Sequence, residues 1–131
     1  MRAGNYNITC EAGATFRRTL EIEQPDLVSD PTGQTYTDFD LQGYSARMQV
    51  RRTIESTGFL LELTTENGGL SINPADEINQ IYIDVAASVT ASLANNFNTV
   101  NAVYDLEIVN GDGVVSRILQ GTFTISPEVT R

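Results

Sequence analysis

The chain has 131 residues, 40% hydrophobic and 19% charged, and a net charge of −9. That length suits one domain with its own core and leaves no room for two cores and a linker, so a single unit over residues 1–131 is expected. An isoelectric point of about 4.2 argues against nucleic acid, which asks for a basic patch, and against an anionic membrane surface.

The missing residue types exclude more. There is no histidine and no tryptophan, and every one of the eight basic residues is an arginine. Without histidine or lysine, no Ser–His, Cys–His or Ser–Lys nucleophile can be assembled. Cys/His zinc sites and the P-loop lysine are ruled out in the same way. Carboxylate pairs remain available for glycoside hydrolysis. The candidates Glu62, Asp84, Asp105 and Glu107, however, sit in alternating segments whose polar positions form a solvated face. The expectation is no enzyme and no cofactor. Cys10 is the lone cysteine, so no disulfide forms within the chain, and it reads as a small buried apolar residue. There is no apolar run of about 18 residues. The opening Met1-Arg2-Ala3-Gly4-Asn5-Tyr6 lacks the apolar stretch of a signal peptide, which leads one to expect folding in a cytoplasm.

In chain order, the text reads as strands and turns. Tyr6 to Glu11 is a short first strand, punctuated by Gly13. From Ala14 to Glu23, Phe16, Leu20 and Ile22 share a parity that Arg18 breaks, which predicts a bulge or an edge. Gln24 to Gln42 is the longest irregular segment and carries Asp26, Asp30, Asp38 and Asp40. Next comes the clearest strand, with Tyr44, Ala46, Met48 and Val50 on one face and Ser45, Arg47, Gln49 and Arg51 on the other. Ile54 to Gly58 turns the chain, and Phe59, Leu61 and Leu63 share the next inward face. Asn67-Gly68-Gly69 is a turn signal. Leu70 and Ile72 form a strand ended by Pro74, and Ile81, Ile83 and Val85 form another. Ala87 to Asn96 is the one helical piece. The last hairpin places Tyr104, Leu106 and Ile108 inward, turns at Asn110-Gly111-Asp112-Gly113, and returns over Val115 to Ile125.

About seven to eight short strands with one connecting helix predict an all-β fold, an immunoglobulin-like antiparallel sandwich. Its expected core is Phe16, Leu20, Ile22, Tyr44, Met48, Val50, Leu61, Leu63, Ile72, Ile81, Ile83, Tyr104, Leu106, Ile108, Phe123 and Ile125. Tyr104 opens its strand where sandwiches use a tyrosine to tie a corner.

Three sets of residues are candidates for binding. Arg47 and Arg51 share a strand face, Arg52 is adjacent, and Arg17 and Arg18 join them if the strands lie near. On an acidic protein this is either a docking face for an acidic partner or a set of cross-strand ion pairs. The spread aspartates of residues 26–40 lack the spacing of an EF-hand, so they are either a calcium site of another kind or a hydrophilic loop. Tyr36 and Phe39 are the aromatic candidates for a glycan platform.

Three stretches, YNITCEAGATFRRTLEIE, DLQGYSARMQVRRT and YDLEIVNGDGVVSRILQGTFTISPEVTR, together resemble a family of small tailed-bacteriophage proteins over nearly the whole chain. The strand order is also similar to the N-terminal domain of phage upper-baseplate proteins. Against the family pattern, Leu27 to Phe39 is long and Asn95 to Thr99 is atypical. The resemblance implies a virion structural component with no catalytic residues, present in several copies around a symmetry axis and assembled in the bacterial host cytoplasm. A tail, baseplate or fibre-attachment position is the first reading. A capsid decoration protein and a carbohydrate- or receptor-binding module are the alternatives. The implied partners are other virion proteins, reached through Arg17, Arg47, Arg51, Arg52, Tyr36 and Phe39 and through the tail from Ser126, with Pro127 and Arg131.

Overall fold

The computed structural model describes residues 3–94 and 97–130. Arg131 and part of the atypical Asn95 to Thr99 segment therefore lie outside the described residues. Eleven strand segments are present among those described: β1 (Gly4–Asn5), β2 (Ile8–Glu11), β3 (Phe16–Glu21), β4 (Glu23–Pro25), β5 (Tyr36–Asp38), β6 (Ser45–Arg51), β7 (Leu61–Thr64), β8 (Leu70–Ile72), β9 (Gln80–Val85), β10 (Val100–Val109) and β11 (Val115–Ser126). A short helix, α1 (Ala87–Ser92), joins β9 to β10.

The larger sheet runs β11, β10, β6, β7, with β1 and β2 both laid parallel along the outer side of β11. The smaller sheet is β3, β9, β8, all antiparallel. Strands β6, β10 and β9 each bury alternate residues. A sheet wetted on one face does this, its other face being turned to the core. Two such sheets enclosing one hydrophobic cluster make the expected all-β, immunoglobulin-like sandwich.

The core contains most of the side chains anticipated for it, with Leu20, Tyr44 and Ile72 only partly buried at its margin. It also takes in Ile8, Cys10, Leu41, Val100 and Ile118. Burial pushes the Cys10 thiol up from its ordinary value, so it stays a packed, protonated side chain.

Two expectations are corrected, and of the bulge or edge expected at Arg18 it is the edge that is found. Phe59 does not join Leu61 and Leu63 inside. It is half exposed, because β7 starts only at Leu61 and the residues before it are still in the turn. Arg18 marks no bulge: β3 and β9 pair in unbroken register from Phe16↔Val85 to Glu21↔Gln80, and β3 is the sheet edge. There the Arg18 guanidinium lies 4.6 Å over the Phe16 ring and donates to the Arg17 carbonyl at 2.8 Å. The Gln24 to Gln42 segment is not irregular throughout, since β4 and β5 pair as a hairpin within it.

A bulge does occur in β11. The pairing steps from Leu106↔Leu119 to Glu107↔Arg117, which leaves Ile118 as the extra residue. Ile118 therefore points inward in one phase, and Phe123 and Ile125 point inward in the other.

Tyr104 forms a structural tie, but from within β10 and not from the start of its strand, because pairing with β11 begins already at Val100. Its hydroxyl donates to the Tyr6 carbonyl at 2.6 Å, where the first strand breaks between β1 and β2. The Asn7 side chain accepts from the Thr122 amide at 3.1 Å, and Gln120 O accepts from the Tyr6 amide at 2.9 Å. Gly121 leaves the room for this approach, because a Cβ there would strike the Tyr6 backbone. Burial raises the Tyr104 hydroxyl to about 12. The folded state thus holds this proton more tightly than the unfolded chain, and stability falls as pH rises from the ordinary value of 10.0 towards 12. Tyr104→Phe is expected to lower stability at neutral pH by about 1 kcal/mol and to remove this part of the alkaline decline. Urea titrations of both proteins at neutral and alkaline pH measure the two effects.

Candidate functional site

Pairing builds a charged face on the larger sheet. Residues of β6, β7, β10 and β11 that point away from the core stand in rows across the strands. In one row Glu107 lies between Arg47 and Arg117, and in the next Asp105 lies between Gln49 and Gln120, with Glu62 beyond Gln49. Arg47 Nε sits 2.8 Å from Glu107 Oε1, and Arg117 Nε sits 3.4 Å from Asp105 Oδ2. Gln49 Nε2 donates to Glu62 at 2.6 Å while its carbonyl accepts from Arg51 at 2.7 Å, and Arg51 also donates to the Ser56 carbonyl at 3.0 Å. Such exposed pairs contribute less than about 1 kcal/mol each. Their role here is to fix the side chains in a lattice. A shallow groove of about 540 Å³ crosses this face, with Arg51, Asp105 and Arg117 in its wall and Ile54, 88% exposed, at its margin.

The arginine candidates divide between two sheets. Arg47 and Arg51 share the face just described, and Arg52 follows them into an exposed turn. Arg17 belongs to β3 in the smaller sheet, where its Nε lies 3.1 Å from Asp84 Oδ1. They do not form one patch. Chain spacing could not show this, because it does not reveal which sheet a strand joins. The contributions of Glu62, Asp105, Glu107 and Arg117 to the lattice follow from register, which period-two patterning leaves open.

The β4–β5 hairpin is ordered by its own aspartates. Asp30 accepts from the backbone amides of Thr32 and Thr35 and from both their hydroxyls. Asp26 accepts from the Ser29 amide, and Asp38 accepts from the buried Asn79 amide group, which also reaches the Ile22 carbonyl. The carboxylates thus act as turn braces. Among the described residues, no three acidic or sulfur and imidazole side chains converge as a metal site would require. Leu27, Val28 and Tyr36 stand exposed on this hairpin, Val28 at 96%. Phe39 instead packs edge-to-face on Tyr44, with centroids 5.6 Å apart, against the core. Tyr36 and Phe39 do not present a common surface.

The tail folds back. Ser126 O accepts from the Ala12 amide at 2.9 Å, Pro127 and Glu128 are half-buried, and Val129 is exposed. Nearby, the buried Thr90 hydroxyl of α1 ties down the β2–β3 turn, accepting from the Gly13 amide and donating to the Ala14 carbonyl.

No protein-family profile matches the chain, and no curated protein sequence matches it. Among solved structures, similar ones include CopC from Methylosinus trichosporium OB3b, at 13% identity and TM-score 0.43 over 95% of this chain and 89% of that one. Murine CRIg is similar at 9% identity and TM-score 0.35, over 93% of this chain and 92% of that one.

Two aspartates should titrate in opposite directions. Burial, with Glu107 adding repulsion, raises Asp105 above 3.8 despite Arg117, Arg51 and Arg47. The folded state then holds the extra proton, so this group's contribution to stability declines as pH rises through the window just above 3.8. Asp30 is lowered by its Thr32 and Thr35 hydrogen bonds. Its contribution is complete above 3.8 and is lost as pH falls below it. Carboxyl NMR titration should place Asp105 above and Asp30 below an ordinary aspartate, and coincident midpoints would refute both assignments.

Proposed function

We propose that this domain is a non-catalytic structural subunit of a tailed-bacteriophage virion, packed against neighbouring subunits in the tail, baseplate or fibre-attachment region. Two things support the reading. One is the sequence resemblance over nearly the whole chain. The other, which carries most weight, is the β4–β5 hairpin, where a backbone braced by Asp26 and Asp30 holds Leu27, Val28 and Tyr36 in water.

Exposed apolar side chains on a floppy loop cost little and mean little. On a pre-ordered loop they form a surface ready to be covered, with less ordering entropy lost on docking. Ile54 and Phe59 in the β6–β7 turn and Val129 in the tail extend the same pattern to other connections. Assembly takes place in the bacterial cytoplasm, and the partners are other virion proteins.

A capsid decoration protein would use the same fold and the same lack of catalysis, and only its abundance would differ. A glycan-binding module is less favoured, because Phe39 is turned onto Tyr44 and does not share a surface with Tyr36.

Quantitative mass spectrometry of purified particles, calibrated on the major capsid protein, tests the reading. A count in the tens or fewer, near a multiple of three or six, is expected for a tail component. A count in the hundreds would mean decoration, and absence from particles would overturn the virion role. Val28→Ser and Tyr36→Ser should each reduce incorporation severalfold while leaving the thermal midpoint within a few degrees of the parent, since neither side chain is in the core. Circular dichroism melts alongside particle counts separate the two effects.

A further inference from the structure

The edge of the smaller sheet carries an unused pairing register. Among the described residues strand β3 pairs only with β9, and its burial is low throughout after Phe16. The direction of its peptide groups follows from the hydrogen bonds around it. The Asp84 amide donates to Gly69 O, and Gln80 O accepts from the Asn73 amide, so the even-numbered residues of β9 face β8. The odd-numbered ones face β3. Ile22, at the end of β3, donates to Asn79 O at 2.8 Å, so the even-numbered positions of β3 face β9. Arg17, Thr19 and Glu21 therefore turn their N–H and C=O groups outward from the sheet. Consistently, the Arg17 carbonyl is open enough to be met by the Arg18 guanidinium.

From this geometry we infer that β3 pairs antiparallel with β3 of a second copy of this chain, across a two-fold axis through Thr19. In that register Thr19 faces its own counterpart, exchanging two N–H···O bonds, and Arg17 faces the partner's Glu21 on both sides of the axis. Outward peptide groups meet outward peptide groups, as a hydrogen-bonded pair requires.

The side chains agree with this register. Arg17 already stands beside Asp84, and Glu21 beside the neutral Gln80. Across the junction, the outer row then reads acidic, basic, acidic, neutral. No ion pair within the chain is assigned to Glu21 among the described residues. On the inner side, half-buried Leu20 meets the stem of the partner's Arg18. Arg18 gives up its bond to the Arg17 carbonyl, and the partner's Glu21 amide replaces it. A net charge of −9 on each copy opposes association at low salt. At physiological ionic strength, that long-range repulsion is screened beyond about 8 Å.

The inference concerns the isolated chain and does not depend on which particle the chain belongs to. Sedimentation equilibrium of the wild-type protein at physiological ionic strength should show a reversible dimer. Hydrogen exchange should show protection of the Arg17, Thr19 and Glu21 amides that grows with concentration. Glu21→Arg opposes arginine to arginine at both ends and should weaken the dimer about tenfold or more. Arg17→Glu should do the same, and mixing the two variants should restore association as a heterodimer. Thr19→Pro removes only outward donors, which an edge strand tolerates, and should give a folded monomer. A wild-type chain that stays monomeric at its highest soluble concentration overturns the inference. So does a dimer that Glu21→Arg and Thr19→Pro leave unchanged.

Discussion

Phe123 is where the two sheets are joined. Its ring meets Phe16 of the smaller sheet edge-to-face at 6.1 Å and Tyr104 of its own sheet at 6.3 Å. With a single cysteine, the chain has no disulfide between its layers, and aromatic contact at this point takes that place. Such contacts add about 0.5–1.5 kcal/mol beyond the area they bury, and they fix orientation as well. Their geometry depends on the bulge at Ile118. Without it, Phe123 and Ile125 could not point inward on a strand whose earlier inward residue is Ile118. Tyr104 then extends the join to the N-terminus through the Tyr6 carbonyl.

With the inner faces committed to the core, chemistry is left to the outer faces and the connections. On the larger sheet, the lattice is balanced: Arg47, Arg51 and Arg117 stand among Glu62, Asp105 and Glu107. The smaller sheet is balanced too, Arg17 and Arg18 against Glu21 and Asp84, so the acidic excess of the chain lies mainly in the turns and the β4–β5 hairpin. A face that is locally neutral yet densely hydrogen-bonded offers little long-range attraction to either sign of charge. Burying it whole would strip water from groups that already satisfy each other. The arginines that look like one patch in the sequence are divided in the fold, Arg17 on the smaller sheet and Arg47 and Arg51 on the larger.

The legible part of the fold was the part with a strict period. The face of β6 from Ser45 to Arg51, the inward set Tyr104, Leu106 and Ile108, and the turn at Asn110 to Gly113 follow directly from alternation and turn chemistry. The Tyr104 tie is found, but not at the start of a strand: pairing with β11 already begins at Val100, which alternation from Tyr104 onward does not reveal. What stayed hidden involved either a change of phase or a choice of partner. The Ile118 bulge shifts alternation within an apolar run, where parity gives no warning. The parallel docking of β1 and β2 on β11 is set by tertiary contacts, not by composition. Residues 24–42 read as irregular because β4 and β5 are only three residues each and exposed at every position, so burial imposes no pattern on them. Phe59 was misplaced because a run of alternate apolar residues does not say where its strand begins. For the site, the individual residues were visible, but their grouping was not, since Arg17 and Arg47 belong to different sheets.

Exposure is divided by type in this molecule. Most of the large apolar side chains left in water, Leu27, Val28, Ile54 and Val129 among them, sit on connections and at the tail, while Tyr36 and Val115 stand at the first residues of β5 and β11. The free edge of the smaller sheet carries Arg17, Arg18 and Glu21 instead. On an edge, charge of both signs does two things at once. It penalises every register that sets like against like, which protects against indiscriminate strand addition. For the same reason, it singles out the one register in which opposite charges meet. An edge defended by arginines alone would simply repel. An edge with Glu21 two residues beyond Thr19, and Arg17 two residues before it, is complementary to itself. Directional pairing thus belongs to the strand, and non-directional apolar contact belongs to the loops.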